Sequence, residues 1–137
     1  MASASDFAAW AQQDLVIPFG GKTYRVKPPN VADAGKLLAC AIRGEVKLGL
    51  ADGPIPDDVQ RVLDTIEPGE HPALGDVFQQ MVDDELPKVT IDRFTYYAVF
   101  YWARGEAFAD NLARALFTPR VTDDLFPDEE EPAPKGS

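Results

Sequence analysis

The segment IPFGGKTYRV, residues 17–26, constrains the fold of this chain more than any other stretch. Its Gly20-Gly21 pair lies between two stretches in which apolar and polar residues alternate, and this alternation has the period of a β-strand. A pair of glycines supplies the positive φ angles that a two-residue hairpin turn requires. We therefore predict a β-hairpin over residues 15–27.

The same turn predicts the register of the hairpin. A two-residue loop places Phe19 opposite Lys22, and the strands then pair outward from that point. In this register the apolar side chains share one face with the stem of Lys22. That face comprises Leu15, Ile17, Phe19, Tyr24 and Val26, while Val16, Pro18, Thr23 and Arg25 share the other. Turn geometry and hydrophobic pattern thus specify the same structure.

The hairpin segment also contains GGKT, which resembles the end of a phosphate-binding P-loop. The P-loop spacing, G-x-x-x-x-G-K-[ST], would place its first glycine at Val16. A P-loop also needs a helix directly after its Lys-Thr, because the helix N-terminus binds the phosphates. Here a strand pattern follows, and Pro28-Pro29 then blocks passage into a helix. The spacing excludes this kind of nucleotide site.

The rest of the chain has the pattern of helices. A short first helix carries Phe7 and Trp10 on its apolar face, and Asn30 and Thr90 are expected N-caps of two later helices. Apolar periodicity predicts helices at residues 31–43, 57–66, 73–86, 91–103 and 106–117. We predict one domain over residues 1–120, mainly α with an N-terminal β-hairpin (α+β) and about five or six helices.

Charge distinguishes the end of the chain from this domain. The 137 residues carry a formal net charge of −10, which disfavours binding to nucleic-acid phosphates or to an anionic membrane. Residues 121–137 contain six acids, one lysine and three prolines, so they hold half of that net charge. We predict a disordered acidic tail there. No apolar run has the length of a membrane span, and we expect a soluble cytoplasmic protein.

No group of residues has the pattern of a catalytic or metal site. The single histidine, His71, follows Glu70 in a proline-containing loop, which we expect to be solvated rather than an acid–base pair. The single cysteine, Cys40, lies in a helical pattern and is expected to be a buried, inert thiol. The acidic run at residues 83–85 lacks the spacing of a calcium loop. We expect no enzyme activity, no cofactor and no metal.

The stretch TIDRFTYYAVFYWARGEAF, residues 90–108, is the richest in aromatic residues. On a helix these side chains point in nearly every direction, so the helix is either surrounded by others or shared with a partner. Core packing is the default interpretation, but a small domain rarely encloses a helix completely. We therefore consider five residues as candidates for protein interaction: Phe94, Tyr97, Phe100, Tyr101 and Trp102. The hairpin adds a further expectation, since helices or another chain must cover its unpaired edges.

The order of these elements resembles a known family. The resemblance runs through residues 6–45, 71–87 and 90–114, and its most specific part is LVIPFGGKTYRVKPP. A short N-terminal helix, a GGKTYRV hairpin, a capped helix and an aromatic YYWARGE-like helix are similar to those of the tail assembly chaperones of long-tailed (siphovirus-type) actinobacteriophages. The resemblance covers most of residues 6–116.

This resemblance implies a role without catalysis. Such chaperones bind the helical tape-measure protein, keep it soluble and help to recruit tail-tube subunits. They act in the host cell cytoplasm and leave before the virion is complete. The family usually makes a longer product by frameshifting, so this chain would be the short form, and self-association is expected. Two alternatives remain open, an acidic DNA-mimic or inhibitor protein that binds a basic partner, and a permanent structural subunit of the tail.

Overall fold

The structure, a computed structural model, describes residues 4–118, so the predicted tail at 121–137 lies outside the described residues. A 3₁₀ turn at Ala4–Asp6 leads into the first helix. The helices are α1 (Phe7–Trp10), α2 (Val31–Lys47), α3 (Asp57–Leu63), α4 (Val77–Asp83), α5 (Lys88–Arg104) and α6 (Glu106–Phe117), and the strands are β1 (Leu15–Phe19) and β2 (Lys22–Val26). The described part of the chain is mainly α with an N-terminal antiparallel hairpin, which confirms the predicted fold class.

The hairpin has the predicted register. Phe19 lies opposite Lys22, and the pairing continues to Leu15 opposite Val26. Both turn glycines have positive φ, 62° at Gly20 and 80° at Gly21, as a type I′ turn requires. One face of the hairpin, formed by Leu15, Ile17, Tyr24 and Val26, is buried. Phe19 shares this face but remains 43% exposed, because it lies at the turn end of the strand.

Helix α5 is at the centre of the core. It packs against α2 on one side and against α6 on another, while the inner face of the hairpin joins the same hydrophobic cluster. The largest fully buried side chains of the described residues are Tyr24, Phe100, Leu74, Met81 and Val26. The core is therefore built from the hairpin, the residues around α4 and the aromatic helix together.

Helix α2 does not end where the sequence suggested. We predicted a helix over residues 31–43 that would end before Gly44, but the helix continues to Lys47. Gly44 is buried where α2 meets α5, and a Cβ atom there would lie 3.1 Å from Cζ of Phe100 and 3.3 Å from Oη of Tyr96. The glycine thus permits close packing of two helices instead of ending one. The N-cap prediction is confirmed, since Oδ1 of Asn30 accepts the N–H of Asp33 at 2.8 Å.

Three other helix boundaries differ from the prediction. Helix α5 begins at Lys88, so Thr90 lies inside its first turn, and Pro87 is the N-cap with ψ near 145°. Helix α4 begins only at Val77, because residues 73–76 form turns in which Gly75 has a φ of 55°. Helix α3 ends at Leu63. Gly105, with a φ of 99°, separates α5 from α6 as predicted.

The N-terminal helix contributes little to the core. Helix α1 has four residues, and its two aromatic side chains, Phe7 and Trp10, are 65% and 55% exposed. Their ring centroids lie 5.4 Å apart in an edge-to-face arrangement. The apolar face that we predicted for this helix therefore exists, but it points into solvent.

Candidate binding groove

The five aromatic candidates of α5 separate into three environments. Phe100 is only 1% exposed and packs against Tyr96 and Phe108, with ring centroids 5.2 and 5.6 Å away. It is a core residue, so its selection as an interaction residue was wrong. The other four candidates are half-buried, which confirms the expectation that α5 is not fully enclosed.

Trp102 meets the ring of Tyr101 edge-to-face, with centroids 5.0 Å apart, but it also has a polar partner of its own. Its Nε1–H donates a hydrogen bond to the carbonyl oxygen of Ala73 at 3.1 Å. This bond ties the C-terminal part of α5 to the turns that precede α4. Trp102 therefore has a structural partner, whereas Phe94, Tyr97 and Tyr101 face an open groove.

The groove lies between β1 and the antiparallel pair α5 and α6, and its volume is about 650 Å³. Its floor is aromatic and comes from Phe94, Tyr97 and Tyr101. One wall is the whole of β1 with Asp14, and the opposite wall includes Ala113 and Phe117 of α6. Elements from both ends of the described chain thus enclose one apolar surface, which we call the β1–α6 groove.

Ring contacts fix the floor of the β1–α6 groove. Phe19 meets Phe94 edge-to-face with centroids 5.4 Å apart, and Tyr97 and Tyr101 stack at 6.0 Å. The hydroxyl of Tyr97 donates a hydrogen bond to Oδ1 of Asp110 at 2.5 Å. Burial, together with this bond to a carboxylate, raises the pKa of Tyr97 well above its ordinary range. The phenol therefore stays neutral at physiological pH.

A polar contact attaches the hairpin beside the start of α5. Oδ2 of Asp84 lies 2.5 Å from Nζ of Lys22 and accepts a hydrogen bond from the Tyr24 hydroxyl at 2.6 Å. The bonds from Lys22 and Tyr24 hold the pKa of Asp84 below its usual value. In return, the hydrogen bond to Asp84 raises the pKa of Tyr24 to about 12. The hairpin is thus fixed by charge as well as by apolar burial.

These contacts give the direction of β1 relative to α5. Phe19 touches Phe94 near the N-terminal part of α5, and Lys22 reaches Asp84, which precedes that helix. The other end of β2 shares a recess with Leu74, next to the Ala73 carbonyl that Trp102 binds near the C-terminal part of α5. Strand β1 therefore runs antiparallel to α5.

The two ends of the β1–α6 groove consequently carry opposite charges. At the Phe19 end, the Arg93 guanidinium lies 5.3 Å from the ring centroid of Phe117. At the opposite end lie Asp14, before β1, and Glu106, at the start of α6. Within residues 4–118 none of these three charged groups takes part in an ion pair.

The other candidate groups do not assemble into a site. Glu70 forms an ion pair with Lys36, so it is not paired with His71. His71 stacks on Phe78 with ring centroids 3.4 Å apart, and partial burial lowers its pKa. Our expectation of a solvated His71 was therefore wrong, since the ring is half-buried.

Cys40 is half-buried, and burial raises the pKa of its thiol, as suits an unreactive side chain. The described residues contain no group of three or more His, Cys, Asp or Glu side chains that could hold a metal ion.

Sequence reasoning identified the floor of the groove but not the groove itself. The aromatic helix and the open hairpin edge were recognised separately, and nothing in the sequence showed that they face each other. Arg93, Ala113 and Phe117 were not selected at all. The sequence shows only that these residues lie at helical spacing on α5 and α6. That spacing does not show which strand packs beside the two helices.

Fold and site together define a small, mainly helical domain with an N-terminal hairpin and an open aromatic groove. Residues 5–136 match the family described as Domain of unknown function (DUF7426), and the chain belongs to that family. No match was found among curated proteins or among solved structures. Within residues 4–118, no helix is both long enough and apolar enough to cross a membrane.

Proposed function

We propose that this protein is a tail assembly chaperone of a long-tailed actinobacteriophage, in the short form. It binds the tape-measure protein and keeps it soluble during tail assembly, without catalysis. A longer frameshift product helps to recruit the tail-tube subunits. The protein acts in the host cytoplasm and is absent from the mature virion. The observation that carries this proposal is the open β1–α6 groove, together with the family resemblance in the order of the sequence elements.

The surface has the properties that such a client requires. A long helical client exposes apolar side chains before assembly, and a chaperone must offer apolar surface without aggregating itself. The aromatic groove provides that surface, and the exposed Phe7 and Trp10 add to it. The net charge of −10 keeps the protein soluble while this surface is open.

The placement of charge favours this proposal over a DNA mimic. A mimic presents free carboxylates over its folded surface at the spacing of duplex phosphates. Half of the net charge lies in residues 121–137, outside the predicted domain.

Co-expression with the large helical protein encoded downstream tests the proposal. We expect that protein to be insoluble alone, to become soluble with this chain, and to elute together with it in size-exclusion chromatography. A client whose solubility is indifferent to this chain contradicts the chaperone function. A matched culture that expresses an unrelated acidic protein controls for a nonspecific effect of charge.

A second measurement separates a chaperone from a permanent tail subunit. Purified virions are analysed by quantitative mass spectrometry, with the tail-tube protein as the internal standard. We expect this chain to be absent from mature particles and present in lysates during assembly. A fixed ratio to the tail-tube protein in virions would identify a structural subunit instead.

A further inference from the structure

We infer that the β1–α6 groove binds one amphipathic helix of the partner, running antiparallel to α5, with basic residues in the first turn of the bound helix. This inference rests on the proposed function, because it identifies where and how the client is held. It commits to the groove, to a helical occupant and to one of its two possible directions.

The edge of β1 argues against a strand as the occupant. In a hairpin with a two-residue loop, Leu15, Ile17 and Phe19 exchange hydrogen bonds with β2, so the outward backbone groups belong to Val16 and Pro18. Pro18 has no N–H group. Within β1, Val16 is therefore the one residue that offers both an outward N–H donor and an outward C=O acceptor to an added strand. Such an edge supports few main-chain bonds, whereas a helix needs none.

The floor of the groove has the length of a short helical contact. Phe94 and Tyr101 are seven residues apart on α5, which is about 10 Å at 1.5 Å per residue. Two turns of a bound helix span the same distance and present side chains at positions i, i+3 or i+4, and i+7. An aliphatic stripe with this spacing matches the aromatic floor.

The charges at the two ends select the direction. The N-terminus of a helix carries partial positive charge, and its C-terminus carries partial negative charge. The N-terminus of a bound helix therefore suits the groove end that carries Asp14 and Glu106. Its C-terminus suits the groove end that carries Arg93. Basic side chains in the first turn of the occupant and acidic ones in the last turn strengthen the same preference. Because α5 begins at the Arg93 end, the occupant runs antiparallel to α5.

Two stapled peptides of 16 residues test the direction. Both carry leucine at the same i, i+3, i+4 and i+7 positions, and the staple keeps their helicity equal. One has lysines in the first turn and glutamates in the last, and the other has these charges exchanged. With the full-length protein, fluorescence anisotropy should show at least threefold tighter binding of the lysine-first peptide at low salt. The difference should shrink at high salt, where exposed charges are screened.

Charge reversal in the protein sharpens this test. Arg93→Glu combined with Glu106→Lys should reverse the preference between the two peptides. Circular dichroism of the double variant verifies that it remains folded. Equal binding of both peptides to the wild-type protein, or an unchanged preference in the folded double variant, overturns the inference.

A matched pair of alanines on α6 tests the location. Ala113 lines the groove, and Ala115 is exposed on the same helix outside it. Ala113→Glu should weaken peptide binding at least tenfold, whereas Ala115→Glu should bind like the wild type. Equal effects of the two changes overturn the inference. A further result would also overturn it: the wild-type protein does not bind the peptides, and Ala113→Glu abolishes its self-association. In that case a second copy of the chain fills the groove.

The same variants separate this inference from the proposed function. If the wild type and Ala113→Glu both solubilise the downstream protein, the chaperone function stands and the groove is not its binding site. If the wild type fails to solubilise that protein, the proposed function itself fails, whatever the peptides show.

Discussion

The two sides of helix α5 differ in how completely they are covered. On the side that meets α2, Phe100 lies against the bare backbone of Gly44 and is fully buried. The Arg104 guanidinium adds two hydrogen bonds of 2.8 Å to Glu45 of α2 and so holds the pKa of Glu45 below its usual value. On the side that faces β1, Phe94 and Tyr101 are half-buried and border open space.

This difference shows that aromatic residues of one helix can have separate roles. Residues such as Phe100 stabilise the fold, because helix α2 excludes water from them. Residues such as Phe94 pack against the core and against one neighbouring ring, and their remaining surface is available to a partner. The predictions below compare the two sides by stability and by binding.

The largest effect is expected for Phe100→Ala on the closed side. Removing a fully buried phenylalanine costs about 3–5 kcal/mol through lost burial and an unfilled cavity. Phe94→Ala, on the groove side, should cost about 1 kcal/mol because only part of its apolar surface is buried. Urea denaturation measures both values. Equal losses in the two variants would contradict the distinction between the sides.

Gly44 and Gly35 of α2 provide the next comparison. Gly44→Val should lower the free energy of unfolding by about 1–3 kcal/mol, since its side chain would overlap Phe100. Gly35→Ala should raise it by about 0.5–1 kcal/mol, because a Cβ there meets nothing within 4 Å and alanine favours a helix. Thermal and urea unfolding test the pair. A stable Gly44→Val protein would show that α2 and α5 are less tightly packed than described.

The hairpin that forms one wall of the groove depends on its turn. Gly20→Val should cost about 1–2 kcal/mol, because a β-branched residue resists a φ of 62°. Peptide binding in the groove should weaken as well, since β1 loses its register. Thr23→Val, on the exposed face of β2, is the control and should change neither quantity much. Unchanged stability of Gly20→Val would refute the turn assignment.

The smallest effect is expected from the titration of Asp84. The pKa of Asp84 is lower in the folded protein than in the unfolded chain. Its contacts with Lys22 and Tyr24 therefore stabilise the fold above the ordinary pKa of aspartate, and this stabilisation is lost as the pH falls below that value. Hydrogen-exchange protection of β2, corrected for intrinsic rates, should therefore fall as the pH drops below about 3.8, the ordinary pKa of this carboxyl.

The variant Asp84→Asn distinguishes this contact from general acid unfolding. It should already lower β2 protection at pH 7, and that protection should change less on acidification than in the wild type. Tyr24 gives the alkaline side of the pH profile, because its pKa is raised in the folded protein. The stabilisation from its hydrogen bond to Asp84 is present below pH 10 and is lost as the pH rises through about 12. A pH profile that is identical in Asp84→Asn and wild type would contradict this contact.

The sequence by itself determined the elements whose signals are local. The hairpin and its register follow from Gly20-Gly21 and from alternation over a few neighbouring residues, and Asn30 marks the start of α2 through a bond to Asp33. The break at Gly105 is local in the same way. In each case, turn or cap chemistry acts on residues that are close in the chain.

Only the tertiary structure decided where α2 ends, which aromatic residues are buried and that a groove exists. Gly44 has the sequence context of a helix end, but its role depends on Phe100 of another helix. The ends of the β1–α6 groove join Asp14 to Glu106 and Phe19 to Arg93 and Phe117, which are distant in the chain. Burial depends on which elements pack together, and periodicity records only that a residue shares a face, not what covers that face.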